Sequence, residues 1–252
     1  MQLPSRRELV PLGPALPAAW TQAVFEAAYA HGMEAFPDEA AGIVSGGEYQ
    51  RLENRSTTPG EDVLLSDVDL LRVADAELFF HTHPNGLGCP SAQDMTYQLQ
   101  LGVPFVIMVL PTFDLFAFGD QLPKQVIIGR GFRHGVHDCY ALVRDWFEPA
   151  GVPLADYPRG WEWWTKGLDL YRANFKAWGF VEIPPEEATR RGDVALFSFN
   201  FAVPMHAAIV IDRDLMLHHA SGIRPVDHTR LSCEVPRQRY RRHVTLALRF
   251  AR

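Results

Sequence analysis

Residues 77–94 read ELFFHTHPNGLGCPSAQD. Glu77 to His81 form a short apolar and aromatic run, as in a buried strand. His81 and His83 stand one residue apart at its end. Alternate strand residues point the same way, so both imidazoles can face one ion. Ser91 suits a helix N-cap and Asp94 falls at N3, which predicts a helix over 91–101. Asp94 can then add an oxygen ligand. Three protein ligands with an open fourth position is the arrangement of a catalytic zinc, which acidifies a water and polarises a carbonyl. Glu39, in the run Pro37-Asp38-Glu39-Ala40-Ala41-Gly42, precedes an expected strand at 41–45 and offers a carboxylate base. The Ser91 hydroxyl can hold a developing oxyanion. Cys89 lies beside the set, but its spacing fits no ligand position, and it reads as packing.

Working outward, Trp20, Val24, Phe25, Ala28 and Met33 recur near helical spacing, predicting a helix over 18–35 that Pro37 stops. Residues 103–110 and 115–118 read as strands. A stretch rich in glycine, with Pro123, follows at 119–135 and sets a domain boundary near 122–131. Two small domains, 1–125 and 126–252, fit a chain of 252 residues. In the second, a helix is expected at 138–147 and a helical region from Trp161 to about Trp178. Strands are expected at 194–199, 206–211, 215–219 and 244–250. The fold class is α+β in both halves.

The formal net charge of -6 and pI near 5.9 argue against nucleic acid as a partner. Arg237 to Arg242, RQRYRR, runs against that balance. It reads as a solvated strand edge or loop, with contact to an acidic polymer or a neighbouring subunit as the alternative. Three cysteines at no regular spacing make no disulfide framework and fit a reducing compartment. Arg6 and Arg7 open the chain, but Pro11 and Pro14 break the apolar run that a signal peptide would need. No apolar run reaches the ~20 residues of a spanning helix, so no membrane insertion is expected. Action on a cell wall would then need lysis, injection or a dedicated machine.

The second decisive stretch is residues 135–146, GVHDCYALVRDW. Asp138 suits an N-cap, which puts Cys139 in the first turn of a helix, where unpaired N–H groups and the dipole favour a thiolate. Leu142, Val143, Trp146 and Phe147 give that helix a buried face. A thiolate needs a base, and His206 opens an expected strand downstream of Gly192-Asp193-Val194. His218 and His219 follow across a turn around Asp212 to Asp214. Strand alternation lets only one of them share a face with His206. A three-residue loop, 212–214, pairs Ala208 with His218 and selects it. A two-residue loop would select His219.

The first pattern, Glu39 with His81, His83, Ser91 and Asp94, resembles the JAMM (Mov34/MPN-type) metallopeptidases. That resemblance implies an MPN-like α/β sandwich, zinc on His81, His83 and Asp94, Glu39 as base and Ser91 on the oxyanion side. The second resembles the NlpC-like cysteine peptidases of bacterial cell walls. It implies a papain-like α+β fold with Cys139 as nucleophile, His206 as base and His218 as the orienting residue. Ala208 departs from the usual glycine after the base, and Asp138-Cys139-Tyr140-Ala141-Leu142 from the commoner D-C-S-G-L.

A JAMM-type half followed by an NlpC-like half resembles the tail tip proteins of lambda-like phages. The resemblance implies a virion tail-tip component, made in the host cytoplasm and acting in the periplasm or cell wall. Its partners would be other tail tip proteins, and its substrate the peptide stems of peptidoglycan, commonly cut next to a D-γ-glutamyl residue. A bacterial wall-recycling peptidase and a structural tail part with silent sites are the competing expectations.

Overall fold

The computed structural model describes residues 15–84, 86–119 and 121–251. The signal-peptide expectation, resting on residues before Leu16, lies almost wholly outside them. No described helix is long and apolar enough to cross a membrane. The chain divides into two compact units between Gln125 and Val126.

In the first unit, α1 (Gln22–Ala35) leads into the hairpin β1 (Ala41–Ser45) and β2 (Glu48–Leu52). Then come α2 (Asp67–Ala74), β3 (Leu78–Pro84), α3 (Ala92–Leu101), β4 (Phe105–Leu110) and β5 (Asp114–Phe118). The sheet order is β2-β1-β3-β4-β5. Only β3 and β4 run parallel, with α3 as their crossover. Thr21 caps α1, its side chain accepting from the Val24 amide. Trp20, Val24, Phe25 and Ala28 pack with Leu78 and Phe80 of β3 and Val106 and Met108 of β4. Burial of each large side chain contributes about 1.5–3 kcal/mol. Because Leu78 and Phe80 face α1, alternation turns Phe79, His81 and His83 to the other face. The hairpin strand β2 and α2 were not anticipated. α2 has eight residues and buries only Val73, too little for a helical period to register.

In the second unit, β6 (Gly131–Arg133) precedes α4 (Cys139–Phe147) and α5 (Leu170–Asn174). The strands β7 (Phe180–Ile183), β8 (Val194–Phe197), β9 (His206–Val210), β10 (Leu215–His218), β11 (Val226–Leu231), β12 (Cys233–Pro236) and β13 (Val244–Phe250) follow. Six form an antiparallel sheet in the order β12-β10-β9-β8-β13-β7, while β11 pairs with β6. One core gathers Leu142, Val143 and Phe147 of α4 with Leu196, Ile209, Leu217 and Leu246 of the sheet. Ala195, Phe197, Ala208 and Met216, of the opposite parity, form a separate cluster.

The helical region expected over 161–178 is mostly turns. A 3-10 turn covers Trp163–Lys166, and α5 is only five residues long. Glu162 and Gly167 take left-handed backbone at either end of that turn, and Trp163 and Trp164 are drawn into the core instead. RQRYRR forms two short 3-10 turns, Arg237–Arg239 and Arg241–His243, a loop rather than a strand edge.

Candidate metal and thiol sites

In the first unit, three polar side chains converge on the face away from α1. His81 Nε2 and His83 Nε2 are 3.1 Å apart. Asp94 Oδ1 lies 3.1 Å from His81 Nε2, and Asp94 Oδ2 lies 3.2 Å from His83 Nε2. One donor atom from each of the three falls within 4.8 Å of the others, the metal-suited group found among the described residues. Two ligands on a tetrahedral ion with bonds of 2.0–2.1 Å sit about 3.3 Å apart, so these spacings fit. The tautomer fits as well. His83 Nδ1 lies 3.1 Å from the Leu87 carbonyl, which can only accept, so Nδ1 carries the proton and the Nε2 lone pair faces the group.

Local structure fixes each member. The Thr82 hydroxyl accepts from the Ala40 amide at 2.9 Å, and the Thr82 amide donates to the Ala40 carbonyl at 3.1 Å, tying the segment that carries Glu39 to β3. Ser91 and Asp94 form a capping box: the Asp94 amide donates to Ser91 Oγ at 3.0 Å, and the Ser91 amide to Asp94 Oδ2 at 2.7 Å. Ser91 Oγ therefore serves the helix N-terminus in this structure. Burial works against ionised Asp94, but His81 and His83 outweigh it and hold the carboxyl well below its usual range. Glu39 is 7% exposed and senses His81, His83 and Asp94, and burial raises its carboxyl above the ordinary value. Cys89 is buried and stands outside the three-residue group.

In the second unit, Asp138 caps α4 by accepting from the Ala141 amide at 2.8 Å, which places Cys139 in the first turn. Cys139 and His206 line one narrow cavity of about 20 Å³, with Tyr171, Trp161, Trp163 and Trp164 among its walls. That is room for about one water. Ala208 pairs with His218, so the loop is the three-residue one. His206 Nε2 and His218 Nδ1 are 3.2 Å apart. His219 turns away, its Nε2 donating to the Arg230 carbonyl at 3.0 Å and its ring edge-on to Phe132. The Gly-Asp-Val string has a structural account. Gly192 takes φ +90, and Asp193 holds Arg249 and accepts from the Arg190 amide.

The expected thiolate is not favoured here. Burial, and then the charge of Asp138, push the Cys139 thiol up to about 11. Burial also holds His206 well below its usual value, with His218 and His219 adding to the shift. The helix N-terminus loses first to burial and then to its own cap, which is an anion. Asp138 stays ionised through Arg159, whose Nε donates to it at 2.7 Å. Several residues around this site carried no sequence motif. The Tyr171 hydroxyl is 3.4 Å from Cys139 Sγ. His134, buried in the cavity wall, donates from Nε2 to the Arg159 carbonyl at 2.9 Å. The cluster of tryptophans at 161–164 was the one available signal for an aromatic wall.

Known proteins match in the same order. The NlpC/P60 family model covers residues 117–246, and the model for prokaryotic homologs of the JAB domain covers residues 21–118. The chain is 38% identical over 139 residues to the tail tip assembly protein K of Escherichia phage lambda, spanning 55% of this chain and 67% of that protein. It is 28% identical over 217 residues to the tail tip assembly protein K of Escherichia phage N15, spanning 80% and 86%. A crystal structure of an NlpC/P60 family protein from Bacillus cereus aligns over 87% of this chain and 66% of that one, at 13% identity and a TM-score of 0.34. With a family model over half its length and a relative sharing 38% of aligned residues, the chain belongs to the NlpC/P60 family and to that of the tail tip assembly protein K, its first half a JAB-like domain.

Proposed function

We propose that the second unit is a cysteine peptidase cutting amide bonds in peptidoglycan stem peptides, within a protein of a phage tail tip. The observation that carries this reading is the placement of Cys139 and His206 on one cavity wall, with His218 Nδ1 3.2 Å from His206 Nε2. If His206 Nε2 donates to His218 Nδ1, the His206 Nδ1 lone pair is left to accept a proton. The resting pair is a neutral thiol and a neutral imidazole. The thiol proton passes to His206 as sulfur attacks the amide carbonyl carbon. The Tyr171 hydroxyl and the Ala207 amide, both bonded to the sulfur, stabilise the charge that develops there. The C–N bond breaks and the amine leaves with the proton from His206. A water, deprotonated by His206, then opens the thioester and restores the thiol.

In the first unit, His81, His83 and Asp94 would hold zinc, which when bound supplies an acidified water and a polarised carbonyl. Glu39, raised by burial, is suited to accept a proton at its carboxylate and give it back to a leaving amine. Ser91 would have to release the Asp94 amide before its hydroxyl served an oxyanion. The functional domains follow the two units, 1–125 and 126–252. The names of the relatives support other tail proteins as partners at the virion tail tip, and the stem-peptide substrate proposed here would put the place of action at the cell wall. The narrowness of the thiol cavity favours one further reading, an enzyme kept closed until it is built into the tip.

Mixing the protein with a synthetic stem peptide and reading intact mass tests the chemistry. An acyl adduct on wild type that is absent from Cys139→Ala, with amine product formed, supports it. Peptide cleavage that survives in Cys139→Ala overturns it.

A further inference from the structure

A second and larger concavity lies in the same unit and shares no lining residue with the thiol cavity. It encloses about 520 Å³. Its floor is Ala195, Met216 and Val244, on the sheet face opposite the α4 core. Its rim carries Arg213, Arg237 and Arg241, so the RQRYRR run that the peptidase reading leaves unused borders this groove.

Three arginines line the groove against two carboxylates, Glu186 and Asp214. Among the described residues, none of Arg213, Arg237, Arg239, Arg241 and Arg242 forms an ion pair. Other arginines are paired, as Arg51 with Glu34, Arg130 with Asp145 and Arg249 with Asp193, though Arg190, Arg191 and Arg224 are not among the described residues' ion pairs. Arg237 is spent on carbonyls, donating to Asp212, Arg213 and Ala188. Arg239 lies over the Tyr240 ring, and Arg242 donates to His243. The nearby Asp212 carboxylate is occupied within its own turn, accepting from the Asp214 and Leu215 amides at 2.8 Å. A chain of net charge -6 thus brings Arg213, Arg237 and Arg241 to the rim of one groove with an apolar floor, leaving it a net positive lining.

We infer that this groove docks an acidic peptide segment of a partner protein. The guanidinium rim meets its carboxylates, and Ala195, Met216 and Val244 take an apolar side chain. A peptide fits better than a nucleic acid because Glu186 and Asp214 also line the groove and can accept its backbone N–H groups, donors that a phosphodiester backbone lacks. The volume lies within the ~300–1,000 Å³ of sites that enclose a small ligand or a few side chains.

The test is fluorescence anisotropy of labelled hexaglutamate on the full chain. Hexaglutamine and a short DNA duplex serve as comparison probes, and Cys139 alkylation rate reports that each variant is folded. Hexaglutamate should bind, hexaglutamine should not, and about 0.5 M salt should release the peptide. Arg213→Glu with Arg241→Glu should weaken binding by about tenfold or more, while Arg72→Glu in the first unit leaves it unchanged. No hexaglutamate binding, equal binding of hexaglutamine, tighter binding of DNA, or an unaffected double variant would each overturn the proposal.

Discussion

Asp94 and Cys139 both sit in the first turn of a helix, yet burial leaves them in opposite states. Asp94 is hemmed in but ionised, because His81 and His83 face it at 3.1 and 3.2 Å. Cys139 has the anion Asp138 next to it and its thiol rises to about 11, while His206 is held neutral. Desolvation favours the neutral form of any group, and opposite charges or hydrogen bonds to the ionised form must outweigh it, as His81 and His83 do for Asp94. The first site therefore has a partly buried anion beside two imidazoles, and the second holds its thiol and its imidazole uncharged.

The largest expected effect comes from breaking the pair that keeps Asp138 anionic. Arg159→Ala strands a buried carboxylate and should cost the second unit about 3–5 kcal/mol in chemical denaturation. Zinc uptake by the first unit should be untouched, and a loss under about 1 kcal/mol would contradict the account. Next, Asp94→Ala should weaken zinc binding by more than about a hundredfold in a competition titration, since even outer-shell partners are worth 10–100-fold. Its Cys139 alkylation rate should match wild type.

The pH profile sharpens the same contrast. With a thiol near 11, iodoacetamide labelling of Cys139 should rise about tenfold per pH unit between about 8 and 10. The folded thiol lies above the ordinary value of 9.0, so the neutral form favours the fold. That stability is complete below the ordinary value and is lost as pH rises through about 11. A labelling plateau near neutral pH would mean that a thiolate–imidazolium pair already exists. The smallest effect separates neighbours in sequence: His218→Ala should lower kcat for stem-peptide cleavage by about tenfold, and His219→Asn by no more than about twofold.

Most of the first site was legible because it is local. His81 and His83 follow strand alternation, and Ser91 with Asp94 follows capping-box spacing. Glu39 precedes β1 and is brought toward β3 by the Ala40–Thr82 bonds, which span 42 positions; its place before a strand offered it as a base, and the family pattern tied it to the histidines. His218 was legible as parity once the loop was three residues long. What stayed hidden is tertiary. Tyr171 meets Cys139 across 32 positions, and Arg159 meets Asp138 across 21, through segments of turns with no period to follow. Residues 161–178 read as helix because indoles and apolar residues recur there, but core packing takes Trp163 and Trp164 inward and leaves only short turns. The arginine groove is a further case. Its charges were visible as a run, and only folding brings Arg213 beside them.

The most direct measurement reads bound zinc and released muropeptides on the same preparations of wild type, Asp94→Ala and Cys139→Ala, given purified peptidoglycan. The account predicts that Asp94→Ala loses zinc and still releases muropeptides, while Cys139→Ala keeps zinc and releases none. Release that persists in Cys139→Ala, or that disappears in a folded Asp94→Ala, would contradict it.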